Sequence, residues 1–197
     1  MSDPRLVDRM LETVERDIVP LTQRGVTAGN KVFGAAILRE SDLSLVIAGT
    51  NNETANPLWH GEVHTLKLLY ELPRSARPAP ADCLFLSTHE PCSLCLSAIT
   101  WAGYDNFHYL FSHEDSRDDF AIPHDLRILK EVFRLEPGGY AKSNAYWTGS
   151  GLMDLIAHCE PEARTGFLTR AETLRRTYAE MSDLYQASKT GTEIPLA

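Results

Sequence analysis

The segments His60-Gly61-Glu62 and Pro91-Cys92-Ser93-Leu94-Cys95 constrain this chain more than any other feature of it. One imidazole and two thiols make three metal ligands, one short of the closed tetrahedron of a structural zinc site. A position left open is where a catalytic zinc binds and acidifies water. Glu62, just past the histidine, is placed to move protons without occupying the metal. Both segments run into helical patterns, and a helix N-terminus favours anions, which helps Cys92 and Cys95 bind as thiolates. A shared ion then requires two helix N-termini to face each other at one edge of an α/β sheet.

The surrounding patterns supply such a sheet. Ser2-Asp3-Pro4 offers a cap and an initiating proline, and Leu6, Val7, Met10, Leu11 and Val14 recur at helical spacing. This helix is predicted to run to about Ile18, ahead of Pro20. Val32–Leu38 reads as a strand and Leu43–Ala48 as its hairpin partner, with turn chemistry at Gly49-Thr50-Asn51-Asn52. His60–Leu72 is a predicted helix, buried through Val63, Leu66, Leu69 and Tyr70 and stopped by Pro73. Cys83–Thr88 reads as a buried strand, Cys92–Ala102 as a helix and Phe107–Ser112 as the next strand. The order β-β-α-β-α-β implies a sheet covered by helices, with a parallel pair joined through the Cys92 helix.

Beyond Gly138-Gly139 the pattern changes. Thr169-x-x-Glu172 reads as a capping box opening a long helix with Leu174, Tyr178, Met181 and Tyr185 on one face. The expected organisation is a zinc domain over residues 1–139, with a helical C-terminal extension over 140–197 packed on it. The extension serves either as a lid and packing layer or as a partner-binding surface.

Composition narrows the function. A chain of 197 residues with 43% hydrophobic and 23% charged residues is expected to form one globular domain. No apolar run approaches the roughly 18 residues of a membrane span, and no signal peptide is visible, so a cytoplasmic setting without membrane contact is expected. The net charge of −8 disfavours a long polyanion, which calls for a basic stripe, and points to a small substrate and no nucleic acid. A structural zinc ribbon or a redox C-x-x-C is the competing reading. A structural site needs a fourth ligand at fixed spacing, for which only His64 and His89 lie near. Cys83 reads as a small buried hydrophobe.

These residues resemble the cytidine-deaminase-like superfamily, in its nucleobase and tRNA adenosine deaminase branch, over roughly Arg5 to Phe133. Val32-Phe33-Gly34-Ala35-Ala36 is similar to that branch's P-F-G-A, with Val for Pro, and Gly49-Thr50-Asn51 to its G-x-N. His60-Gly61-Glu62-Val63-His64-Thr65-Leu66 is similar to the H-G-E-x-x-T-L of fungal cytosine deaminase, where most members have H-A-E. Glu90-Pro91-Cys92-Ser93-Leu94-Cys95 matches E-P-C-x-M-C with Leu for Met. Trp101 and His113-Glu114-Asp115 are similar in spacing to bacterial guanine deaminases.

The resemblance implies a three-layer α-β-α fold with a mixed five-stranded sheet, and a homodimer. It also implies a zinc ion on His60, Cys92 and Cys95, with Glu62 as the catalytic acid and base. On the substrate side it points to Asn51, Phe33, Trp101, Asp115 and Asp119, with Asp125 a further choice for the downstream aspartate that meets the purine. Asn51 either contacts the base or caps its turn, Phe33 and Trp101 divide between core and pocket wall, and Asp115 and Asp119 are ligand contacts or solvated charges. The expected activity is a zinc-dependent aminohydrolase cleaving a cyclic amidine C–N bond and releasing ammonia. Its substrate is a free nucleobase or related amino-heterocycle, guanine first, cytosine or a nucleoside second. The alternatives are a tRNA-specific adenosine deaminase and a non-catalytic zinc scaffold binding a protein partner.

Overall fold

In the computed structural model, which describes residues 1–136 and 139–197, the chain enters its first helix through Asp3. The Asp3 carboxylate accepts the Arg5 backbone N–H and Pro4 takes the first turn of α1 (Pro4–Thr13). The helix does not stop before Pro20. It widens into a π turn over Val14–Ile18 and continues as α2 (Val19–Thr27). Proline lacks an N–H and crowds the carbonyl four residues back, and the extra residue of a π turn absorbs both. Val7, Met10, Leu11, Val14 and Ile18 are all fully buried, so continuing the helix keeps one apolar face on the core.

Five strands follow: β1 (Gly34–Arg39), β2 (Leu45–Thr50), β3 (Cys83–His89), β4 (Asn106–Phe111) and β5 (Thr148–Gly151). Their order is β2-β1-β3-β4-β5. β1 is antiparallel to both β2 and β3, whereas β3, β4 and β5 run parallel. The parallel β3–β4 pair is joined through α4 (Ser93–Trp101), as the sequence implied. β5 reads as turn chemistry, Thr-Gly-Ser-Gly, yet it pairs with β4. A Cβ on Gly149 would lie 2.3 Å from the Phe107 ring, so a strand at this place needs the bare backbone.

Helices cover both faces. Ala36, Leu38, Leu84 and Leu86 point towards α1, α7 (Leu152–Ala157) and α8 (Pro161–Ser188), while Ala35, Ile37, Cys83 and Phe85 point towards α3 (Gly61–Glu71) and α4. Successive strand residues alternate between the two cores, giving the three-layer arrangement. Two short helices, α5 (His113–Asp118) and α6 (His124–Phe133), flank the edge where β3 and β4 end.

The last helix departs from expectation. α8 begins at Pro161, not at Thr169, whose hydroxyl bonds back to the Thr165 carbonyl inside the helix. The capping box of this chain lies at α5, where Ser112 and Asp115 exchange side-chain and backbone hydrogen bonds. Leu174, Tyr178, Met181 and Tyr185 do form the buried face. Arg170 ties α8 to Asp8 and Glu15 of the first helix, and Arg175 ties it to Asp115 and Asp119. Gly138, half of the expected boundary, lies outside the described residues. No helix among the described residues is long and apolar enough to cross a membrane.

Two positions carry predictions. A Cβ on Gly61 would meet Gly34 Cα and N at 2.8 Å, so Gly61→Ala forces α3 away from β1. Chemical denaturation is expected to show a loss of about 1–3 kcal/mol. His89 is fully buried among Phe33, Phe111, Phe120 and Tyr178, and burial holds its imidazole down at about 3, from 6.5. The unfolded chain takes the proton first. Stability from this group is therefore complete above 6.5 and is lost as pH falls towards the folded value. Between pH 7.5 and 5 the loss is about 2 kcal/mol. Urea titrations should show this component missing in His89→Phe; parallel curves for the two proteins would refute it.

Candidate active site

Two helix N-termini meet at one sheet edge. His60 is the N-cap of α3 and Cys92 the N-cap of α4, both in extended conformation, with Cys95 in the first turn of α4. The close approach of Gly61 to Gly34 seats the start of α3 against β1. His60 Nδ1 then lies 3.4 Å from Cys92 Sγ and 3.7 Å from Cys95 Sγ, and the two sulfurs are 3.4 Å apart. Tetrahedral zinc with ordinary Zn–S and Zn–N bonds sets ligand atoms about 3.8 Å (S–S) and about 3.6 Å (S–N) apart. The triangle is close to that size, and these three residues fit a zinc ion.

The charges also fit. Hydrogen bonding from Cys95, and the His60 ring, hold the Cys92 thiol well below the usual range, while burial pushes Cys95 up. Burial alone lowers His60, but Cys92, Glu53 and Glu62 outweigh it and carry the imidazole up to about 9. Such a concentration of negative groups around a nitrogen–sulfur donor set favours a divalent cation. His64 does not join it. Its Nδ1 is 2.7 Å from the Thr50 carbonyl and its ring stacks on Trp59.

Glu62 is buried in the first turn of α3, and Ser87 of β3 donates to its Oε1 at 2.8 Å. Burial and the neighbouring Cys92 push the Glu62 carboxyl up from its ordinary value. The Cys92 loop is anchored from behind through Glu90. That carboxylate accepts the His113 backbone N–H at 3.0 Å and receives Tyr140 and Lys142 from the C-terminal segment.

Glu62, His60, Cys92 and Cys95 share a cavity of about 330 Å³. Its walls are largely apolar: Phe33, Leu94, Ile122 and Ile128, with Pro195 and Leu196 from the chain's last residues. Of the substrate-side residues marked in the sequence, Phe33 lines this cavity and also packs edge-on against His89, so it is wall and core together. Asn51 is buried beside the cavity, its Nδ2 donating to Glu53 at 2.6 Å and its Oδ1 unpartnered. Trp101 lies away from it, 91% exposed at the end of α4. Asp115 and Asp119 are also outside the lining; both bind Arg175, and Asp115 closes the α5 cap.

Among the aspartates that follow β4, the one that lines the cavity is Asp125, in the first turn of α6 beside His124. Burial, reinforced by Cys92, raises it to about 7. Its position after Pro123 is a helix-start signal, but nothing in the local pattern aims that helix at the zinc ligands. Lys31 and Glu53 also line the cavity, as a buried ion pair that no spacing rule reveals.

Residues 9–111 match the cytidine and deoxycytidylate deaminase zinc-binding region. Guanine deaminase of Bacillus subtilis (strain 168) is 32% identical over 124 residues, which is 61% of this chain and 76% of that protein. A probable cytosine deaminase of Schizosaccharomyces pombe is 25% identical over 115 residues, covering 58% of this chain and 68% of its own length. The solved guanine deaminase from Nitrosomonas europaea shares the fold, with a TM-score of 0.53 at 19% identity over 95% of this chain and 86% of that one. With the matched region covering over half of its length and containing His60, Glu62, Cys92 and Cys95, this chain belongs to the cytidine and deoxycytidylate deaminase zinc-binding family.

Proposed function

We propose that this protein is a zinc-dependent hydrolytic deaminase of a free nucleobase, with guanine the first substrate and cytosine or a nucleoside the second. One observation carries the reading: the buried Glu62 carboxyl shares a small, mostly apolar cavity with the three ligands and with the half-buried Asp125. A zinc ion, which His60, Cys92 and Cys95 would hold, would supply an acidified water as nucleophile. Glu62 would take one proton from the attacking water and pass it to the ring nitrogen; it would then carry the second, from the hydroxyl left on the carbon, to the exocyclic amine, which leaves as ammonia when the C–N bond breaks and the carbonyl forms. A carboxyl raised by burial suits both directions of transfer better than an ordinary one. Ser87 holds the Glu62 carboxyl in place.

Phe33 and the aliphatic walls take the faces of a flat ring and exclude water. In this reading the Asp125 carboxylate accepts the ring N–H that guanine carries beside its amino group; the ring nitrogen in that place in cytosine has no proton to offer. The relatives support a nucleobase as substrate, since they include a guanine deaminase and a probable cytosine deaminase. A tRNA loop is not favoured: the cavity is small, Pro195 and Leu196 form part of its wall, and the net charge is −8. A non-catalytic scaffold has no use for a carboxyl buried against the ligands. The same reading makes the enzyme cytoplasmic and homodimeric, with residues 140–197 an extension of the one domain; the exposed Trp101 is an apolar residue that a dimer could cover.

The test is ammonia release from guanine, cytosine, their nucleosides and a tRNA anticodon stem-loop. Guanine should react fastest, and a faster reaction of any other compound overturns the substrate assignment. Glu62→Gln should lose about 10²- to 10⁴-fold in kcat while retaining its zinc. Chelation should abolish activity and added zinc should restore it. Asp125→Asn should lower kcat/KM for guanine by more than for cytosine, by about tenfold or more, as expected where a polar partner in the cavity is left mismatched. Equal losses on both bases would remove Asp125 from recognition.

A further inference from the structure

Beside the zinc ligands, on the cavity wall, lies a group that the mechanism above does not use. Glu53, in the turn after β2, has a side chain only 1% exposed; two donors bond to its carboxylate and the His60 ring stands close to it. Lys31 Nζ, itself 8% exposed, donates to Oε1 at 2.9 Å. Asn51 Nδ2 donates to Oε2 at 2.6 Å. His60 Nε2 stands 3.7 Å from Oε1.

The geometry decides which His60 nitrogen carries the proton. Nδ1 faces both sulfurs, at 3.4 and 3.7 Å, and needs its lone pair there to bind a metal. The ring proton of the neutral imidazole then belongs on Nε2, the nitrogen turned to Glu53. A carboxylate in that position fixes the tautomer and ring orientation of a metal-bound histidine and raises its basicity. Asn51 is set by the same group. A carboxylate accepts only, so the amide must present its NH₂ to Glu53, which leaves Oδ1 as the unpartnered acceptor. Lys31 gives this buried anion its counter-charge close to two thiolates and Glu62.

A stabilising ion pair is the simpler account of Lys31 and Glu53, but burying two charges is poor economy for stability alone. Here the pair sits where one oxygen reaches a metal ligand and the other orients Asn51. We propose that Glu53, oriented by Lys31, is a positioning residue that holds His60 in its zinc-binding tautomer and fixes the amide of Asn51. This rests on the zinc-deaminase reading.

The experiment measures zinc affinity by chelator competition, with the fold followed by circular dichroism and the imidazole by ¹⁵N NMR. Glu53→Gln should bind zinc about 10- to 100-fold more weakly than wild type while keeping its spectrum. Lys31→Met should weaken binding through the same group, so Lys31→Met/Glu53→Gln should be no worse than Glu53→Gln alone. In zinc-loaded wild type, the His60 Nε2–H should be protected from exchange with water and shifted downfield, as a proton hydrogen-bonded to a carboxylate is. That last measurement needs no variant and tests the proposal even if Glu53→Gln does not fold. An Nε2–H that exchanges freely with water, or a folded Glu53→Gln that binds zinc as tightly as wild type, overturns the proposal and leaves the deaminase reading standing. A wild-type protein that takes up no zinc overturns both.

Discussion

The contact on which the rest depends is that of Gly61 against Gly34, backbone to backbone with no side chain between. It lets the first turn of α3 rest on the start of β1, so the residue before Gly61 is delivered to the sheet edge. The β3–α4–β4 crossover delivers Cys92 and Cys95 to the same edge from the other side. Neither half holds a metal alone. Because the ligands are a cap on one helix and a cap plus first turn on another, their spacing is set by how two helices sit on one sheet. The cysteine loop has further support in Glu90, which His113, Tyr140 and Lys142 engage together. The C-terminal segment thus contributes to the placement of ligands far earlier in the chain.

Much of this was legible before any coordinates. Period-2 alternation does not appear in β1 and β3, and their continuous apolar runs already imply burial on both faces. The ligands and Glu62 were visible because three ligand types and an acid at set offsets have few other uses. What was missed shares a different character. Pro20 looked like a stop, but local stiffness lost to a buried face that a π turn could keep in register. Thr169 looked like a cap, but a T-x-x-E pattern inside a helix is equally comfortable bonding backwards. β5 is poor in strand formers because two of its four residues are glycine, and at Gly149 the Phe107 ring leaves no room for a Cβ.

The substrate side was the least legible, for a reason that applies beyond these residues. Asp115, Asp119 and Asp125 look alike along the chain, and only tertiary placement separates them. Arg175, arriving on α8 from a distant part of the sequence, engages the first two. Asp125 has no such partner among the described contacts and faces the cavity. The pairing of Lys31 with Glu53 is equally non-local. An acidic stretch therefore says where carboxylates are available, and the basic residues of another element decide which of them remain free.

β5 has a further consequence. It is a strand of four residues, two of them glycine, and it closes the parallel side of the sheet. An outer strand normally presents a row of unpaired backbone groups on which another chain can polymerise. So short a border, with little apolar side chain to grip, gives an incoming strand almost nothing to extend. The glycine that Phe107 requires thus also makes this edge a poor template for aggregation.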